Sequence, residues 1–295
     1  MNVIADLFPG FAEHRIKTDG AEVFVRTGGT GPALLLLHGY PQTHVTWHKI
    51  APELARHVTL VLADLRGYGA SSAPPGDAEH KTYSKRTMAE DCLAVMRALG
   101  HERFMVGGHD RGGRVAYRLA LDHPQRLEKL ATLDIIPTYD MWHGIDAKLA
   151  FRIWHWTFLA LPAPFPEEVI GRDPVAYWSG PGAKAKSLFD PRALAHYHAF
   201  FSDPLRIHAT CEDYRAGRTT DLKNDEADRA KGNKITCPML ALWGTTGIPS
   251  QTKADPLVTW REWANDVRGF AIESGHFLPE ENPAATAKAL IEFFK

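Results

Sequence analysis

In Gly108-His109-Asp110-Arg111-Gly112 an aspartate stands between two glycines, each two positions away, directly after a short apolar run. That is the spacing of a strand turning sharply into a helix, a turn that presents its central side chain above a sheet. Small residues two before and two after keep the tight turn clear of neighbouring strands. The turn also aims the next backbone N–H, that of Arg111, at an oxyanion developing beside the central residue. The plainer alternative is a turn whose aspartate caps a helix. As a nucleophile, Asp110 differs from serine. A carboxylate attacks a saturated carbon, expels a leaving group and becomes an ester that water must then hydrolyse. Such chemistry opens a carbon–halogen bond or an epoxide.

Hydrolysis of that ester needs a general base. Of the 15 histidines, His276 is best placed, in Ser274-Gly275-His276-Phe277-Leu278-Pro279-Glu280, late in the chain after the last apolar strand. The order nucleophile, acid, histidine fits such a site. A carboxylate must hold the imidazole tautomer. Asp134, at the end of a core strand, is the candidate and Asp255 the weaker one, because residues 243–249 contain no acid. His38-Gly39-Tyr40-Pro41 follows the first buried strand, where the Tyr40 backbone N–H becomes the second oxyanion donor and His38 a structural residue. Arg111 and Arg114 are i, i+3 on a helix, so both guanidiniums can reach one side of the site and clamp a substrate carboxylate. For Arg114 the alternative is a helix-surface residue or an internal ion pair. His44 and His48 have helical i, i+4 spacing, but no third ligand or metalloprotease pattern accompanies them, so no metal is expected.

Placing these residues requires strands that all end near one edge. Residues 33–37, 58–63, 103–107 and 129–133 are short apolar runs, ending at His38, Asp64, before Gly108 and at Asp134. Thr87 to Leu99 and Arg114 to Leu121 have helical spacing between them. Strand, helix, strand in this rhythm predicts an α/β fold with a mainly parallel sheet covered on both faces. From about Pro137 to Gly232 the rhythm breaks into aromatics and prolines without buried-strand runs. It resumes at Pro238 to Trp243, with a strand at 269–272 and a helix from Pro283 to Phe294. The expectation is a core of residues 1–136 and 234–295 with a helical cap inserted at 137–233.

With 295 residues, 44% hydrophobic and 23% charged, the composition is that of a globular protein with a large core. A net charge of −1 without charged runs argues against nucleic-acid or anionic-membrane partners. The start has no basic n-region, the apolar runs are far short of a membrane span, and three scattered cysteines fit a reducing compartment. A soluble, cytoplasmic protein is expected.

Gly108-His109-Asp110-Arg111-Gly112-Gly113-Arg114 resembles the elbow of the fluoroacetate (haloacetate) dehalogenases of the α/β-hydrolase superfamily. Epoxide hydrolases and haloalkane dehalogenases typically carry Trp where Arg111 stands. The likeness extends over most of the chain, through His38-Gly39-Tyr40-Pro41, Asp134, His155-Trp156, Cys211 to Gly217 and Glu273 to Glu280. It implies that Arg111 and Arg114 hold the carboxylate of a small 2-haloacid. It further implies that His155, Trp156 and Tyr214 donate hydrogen bonds to the departing halide, that no cofactor is needed, and that the protein is a homodimer. Read by itself, Trp154-His155-Trp156 is an aromatic cap core. An epoxide hydrolase of the same fold, with cap tyrosines protonating the alkoxide, is the alternative activity. A non-enzymatic ligand sensor on this fold is a third reading.

Overall fold

A computed structural model describes residues 4–180 and 185–295. Eight strands form one sheet in the order β1-β2-β4-β3-β5-β6-β7-β8. They are β1 (Ala12–Thr18), β2 (Ala21–Gly28), β3 (Ala33–Leu37), β4 (Thr59–Ala63), β5 (Phe104–His109), β6 (Leu127–Leu133), β7 (Met239–Gly244) and β8 (Val267–Ile272). From β4 to β8 every pairing is parallel. β1, β2 and β4 pair antiparallel. The apolar-run pattern misses the β1–β2 hairpin, because β1 alternates exposed and half-buried residues instead of forming a buried run. Its turn is Asp19-Gly20, with Gly20 at φ +76°.

The register explains how distant residues meet. Leu37 pairs with Ala63 and with Gly108, His109 with Leu133, and Leu133 with Leu242. The strands therefore end nearly level, and His38, Asp64, Asp110 and Asp134 leave the sheet along one edge. Successive residues of a strand face opposite sides. A Cβ on Gly107 would meet Phe294 of the C-terminal helix Pro283–Phe294, while one on Gly108 would meet the helix Arg111–Asp122. The two helices thus cover opposite faces. The elbow helix begins three residues earlier than its apolar spacing predicts, because the turn is made by Asp110 alone.

Between β6 and β7, nine helices are described from Thr138 to Lys231. Asp-Pro pairs start several of them. Asp173, Asp190 and Asp203 each accept a backbone N–H of the first turn, and the following proline needs no acceptor. This layer lies over the strand ends: the Trp178 indole donates to Pro41 O at 2.9 Å, and Tyr197 OH to Glu280 Oε1 at 2.7 Å. Among the described residues no helix is long and apolar enough to cross a membrane.

The tightest passage is the elbow. A Cβ on Gly112 would lie 2.3 Å from His38 O and 2.4 Å from Leu37 O, and neither backbone atom can move without breaking the sheet. Gly112→Ala is expected to cost about 1–3 kcal/mol, the overpacking range, and towards its upper end because both neighbours are backbone atoms. A urea denaturation midpoint equal to the wild type's would contradict this.

Candidate active site

Asp110 takes φ 49°, ψ −117° between β5 and its helix. For a non-glycine residue this is strained, of the order of 1–3 kcal/mol, and persists because the surroundings over-determine it. Its N–H donates to Leu133 O at 3.2 Å, and its carbonyl accepts the Arg114 N–H at 3.2 Å. The Tyr40 N–H donates to Asp110 Oδ1 at 2.9 Å. That approach needs Gly39, where a Cβ would stand 2.4 Å from the Asp110 Cβ. The Arg111 N–H heads the helix, in the first turn where amides lack intrahelical acceptors. Burial opposes ionisation of Asp110, but the charges around it, His276 foremost with Arg111 and Arg114, outweigh burial and hold its carboxyl below the usual range.

His276 Nδ1 donates to Asp134 Oδ2 at 2.6 Å, and its Nε2 stands 3.7 Å from Asp110 Oδ2. That gap is too long for a direct hydrogen bond. Asp134 is held in turn by the Gly244 N–H on Oδ1 (2.8 Å) and the Ile248 N–H on Oδ2 (2.9 Å). The loop after β7 therefore serves Asp134 through its backbone and needs no acid of its own. Asp255 instead caps the helix Pro256–Arg261, with Oδ1 accepting from Leu257 and Val258. Sequence reading did not single out His109. Its Nε2 donates to His276 O at 2.8 Å, and burial pushes its pKa down to about 3, so it braces the His276 loop as a neutral ring. His38 accepts from Leu65 N and donates to Gly39 O, a structural role. The Asp64 loop is structural as well, its carboxylate holding His44 and the Ala70 N–H.

The two arginines are buried and unlike. Arg111 donates from Nε and Nη2 to both carboxylate oxygens of Asp213, at 2.9 and 2.7 Å, leaving Nη1 without a partner. Arg114 gives Nη1 to Ile136 O and Thr138 Oγ1, and among the described residues no carboxylate pairs with it. Burial, with Arg111 nearby, lowers the Arg114 pKa despite opposing pulls from Tyr117 and Asp110. A buried guanidinium lacking an anion is costly, so the position favours an anionic ligand.

His155, Trp156 and Tyr214 converge beside these groups. The Tyr214 ring centroid is 5.8 Å from His155, 6.0 Å from Trp156 and 5.3 Å from Tyr40. The indole N–H of Trp156 and the hydroxyl of Tyr214 are buried without partners. Burial pushes the His155 pKa down to about 4, so its ring is neutral near pH 7. Trp156 also lies 4.5 Å from the Arg114 guanidinium. An open cleft of about 920 Å³, walled by Arg152, Trp178, Phe189 and Thr246, reaches His276 from outside. The assembly therefore sets a buried carboxylate, a guanidinium without an acid, unpartnered donors and a carboxylate-held histidine around one small space, an arrangement suited to a small anion.

A family model described as alpha/beta hydrolase fold matches residues 32–283. The chain is 44% identical to a fluoroacetate dehalogenase of Burkholderia sp, covering 97% of this chain and 95% of that one. It is 32% identical to a soluble epoxide hydrolase of Corynebacterium sp. (strain C12), over 95% and 96%. A crystal structure from Nostoc sp PCC 7120, provisionally described as an alpha/beta hydrolase, superposes with a TM-score of 0.93 at 52% identity, over 96% and 98% of the two chains.

Burial works against protonation of His276, but the hydrogen bond and charge of Asp134, with Asp110 behind, more than compensate and raise its pKa above the ordinary 6.5. The imidazole is a free base only above that raised value, so a base-dependent step is lost as pH falls through it. Asp134→Asn removes both leading raising causes. An NMR titration of His276 should show its midpoint moving to lower pH in that variant, and an unchanged or higher midpoint would contradict the assignment.

Proposed function

The chain belongs to the alpha/beta hydrolase fold family and, within it, to the fluoroacetate dehalogenases, and we propose that it hydrolyses the carbon–halogen bond of small 2-haloacids through an ester of Asp110. The observation that carries this reading is the buried, acid-free guanidinium of Arg114 beside the nucleophile. A substrate carboxylate supplies its missing anion and sets the α-carbon over Asp110. The Tyr40 N–H occupies Oδ1, so Oδ2 is free to attack from the face opposite the halogen. The electron pair of the carbon–halogen bond leaves with the halide, received by Trp156 N–H, Tyr214 O–H and His155. Fluoride is strongly hydrated, and preorganised donors in a water-poor site replace that hydration.

In the second step His276, held by Asp134, takes a proton from water. The hydroxide attacks the ester carbonyl, whose oxygen sits against the Tyr40 and Arg111 N–H groups. Collapse returns the Asp110 carboxylate and frees the 2-hydroxyacid. The substrate is the only small-molecule partner proposed. The three cysteines are free and buried, in keeping with a cytoplasmic setting. A homodimer is also proposed: Phe151, Trp154, Leu161, Phe165 and Val175, all in the helical layer, expose apolar surface that a second copy can cover. Tyr177 and Tyr214 are both in that layer, which keeps epoxide opening as a second reading, since tyrosine hydroxyls can protonate an alkoxide.

Halide electrodes decide between the two. Fluoroacetate and chloroacetate should release halide with the wild type and not with Asp110→Asn. Release of neither halide, with turnover of an epoxide, would replace this reading with the second. His276→Asn should accumulate the ester, visible on intact protein as a mass increase equal to the substrate less its halide. Absence of the adduct, with activity lost, would exclude His276 as the base of the second step. Light scattering should give about twice the 32.8 kDa chain mass. A monomer's mass would overturn the dimer.

A further inference from the structure

We propose that Asp213 is a positioning residue that clamps Arg111 and cancels its charge, so that Arg114 alone supplies the net positive charge of the substrate site. The proposal rests on the 2-haloacid reading above and adds a division of labour between the two arginines.

Asp213 lies on the helix Pro204–Arg218 of the inserted layer and has no exposed surface. Both carboxylate oxygens take Arg111, and its main-chain carbonyl accepts Arg111 Nη2 at 2.7 Å. Tyr68 OH donates to Oδ2 at 2.7 Å, and Lys85 Nζ is hydrogen-bonded to Oδ1. Lys85 is held from its other side by Asp221, through its backbone N–H at 2.8 Å and its ammonium at 3.4 Å. Lys85 and Arg111 thus face Asp213 and Asp221, two positive charges against two negative, all buried.

The same helix shapes the rest of the guanidinium. The Tyr214 ring lies 4.2 Å from it, and a Cβ on Gly217 would come within 3.1 Å of Nη2. Only Nη1 remains without a partner. A guanidinium serving merely to pin the two layers together would leave no buried donor unspent, because an unsatisfied buried N–H is costly. Arg111 is therefore fixed in direction and offers one arm, while its charge is spent on Asp213.

The consequence is chemical. Substrate and 2-hydroxyacid product are both monoanions. Two uncompensated guanidiniums would grip the product as strongly as the substrate and would draw electron density from the Asp110 nucleophile. A charge that grips substrate and transition state alike does not raise kcat either. Cancelling one charge keeps recognition by a single net cation and leaves Arg111 to orient.

Asp213→Asn should therefore lower kcat with chloroacetate without raising KM, and make glycolate a tighter inhibitor. The drop expected on loosening a clamped orienting group is about 10–100-fold in kcat, counted per active site from a chloride burst. Because that variant leaves Lys85 and Arg111 short of an anion, Lys85→Met with Asp213→Asn is measured beside it. This pair of changes restores the charge balance, so glycolate inhibition should return towards wild type while kcat stays low. A raised KM with unchanged kcat, unchanged glycolate inhibition in Asp213→Asn, or failure of both variants to give folded enzyme would overturn the proposal and leave Asp213 as a staple between layers. Wild-type enzyme inactive on both haloacids would instead remove the reading beneath it, whereas an active wild type with an indifferent Asp213→Asn would remove only this inference.

Discussion

Where the chain passes from β5 into its helix, the Gly112 Cα lies so near the carbonyls of Leu37 and His38 that a side chain cannot be inserted. This close passage sets the rest. It draws the start of the elbow helix down onto the end of β3, brings the Tyr40 N–H to the Asp110 carboxylate, and holds Asp110 at a positive φ. The strain is local and the support is not. Parallel pairings on both sides of β5 fix the height of the turn, and the level strand ends bring Asp134 to the same edge.

On that frame the buried charges follow a consistent rule. A carboxylate meant to remain an anion is given donors before it is given a task. Asp134 has two backbone amides besides His276, and Asp213 has Arg111, Tyr68 and Lys85. Breaking a buried pair by removing one partner costs about 3–5 kcal/mol, so these partners are strongly coupled to stability. Arg114 is the exception, a buried guanidinium with carbonyl and hydroxyl acceptors but no acid. A buried guanidinium left without an acid is costly.

The helical layer carries buried donors without partners, the Trp156 N–H and the Tyr214 O–H among them. Trp178 to Pro41 and Tyr197 to Glu280 tie it to the loops that follow β3 and β8, and the Arg111–Asp213 pair ties it to the elbow. Because these ties end close to Tyr40 and His276 in the chain, the layer that carries His155, Trp156 and Tyr214 is referenced to Asp110. Aromatic contacts among Tyr40, Tyr214, His155 and Trp156 then limit the space beside Asp110.

The parallel core was legible in the chain because buried strands are short apolar runs, and the runs 33–37, 58–63, 103–107 and 129–133 lie within a residue or two of β3, β4, β5 and β6. Asp110, Asp134 and His276 were candidates for the same reason: each closely follows a strand end, and the structure brings the three together, whereas spacing alone left Asp255 as an alternative to Asp134. The hairpin β1–β2 was not legible, since an edge strand with one solvated face lacks an apolar run. Nor was the unequal state of the two arginines. Arg111 and Arg114 are three residues apart and alike in sequence, but Asp213 is 102 residues from Arg111, on a helix whose place is set by packing. Spacing along the chain determined which side chains share the edge of the sheet. Only the tertiary structure decided which of their charges are cancelled, because that depends on partners brought in from a separate layer and on the water that burial removes.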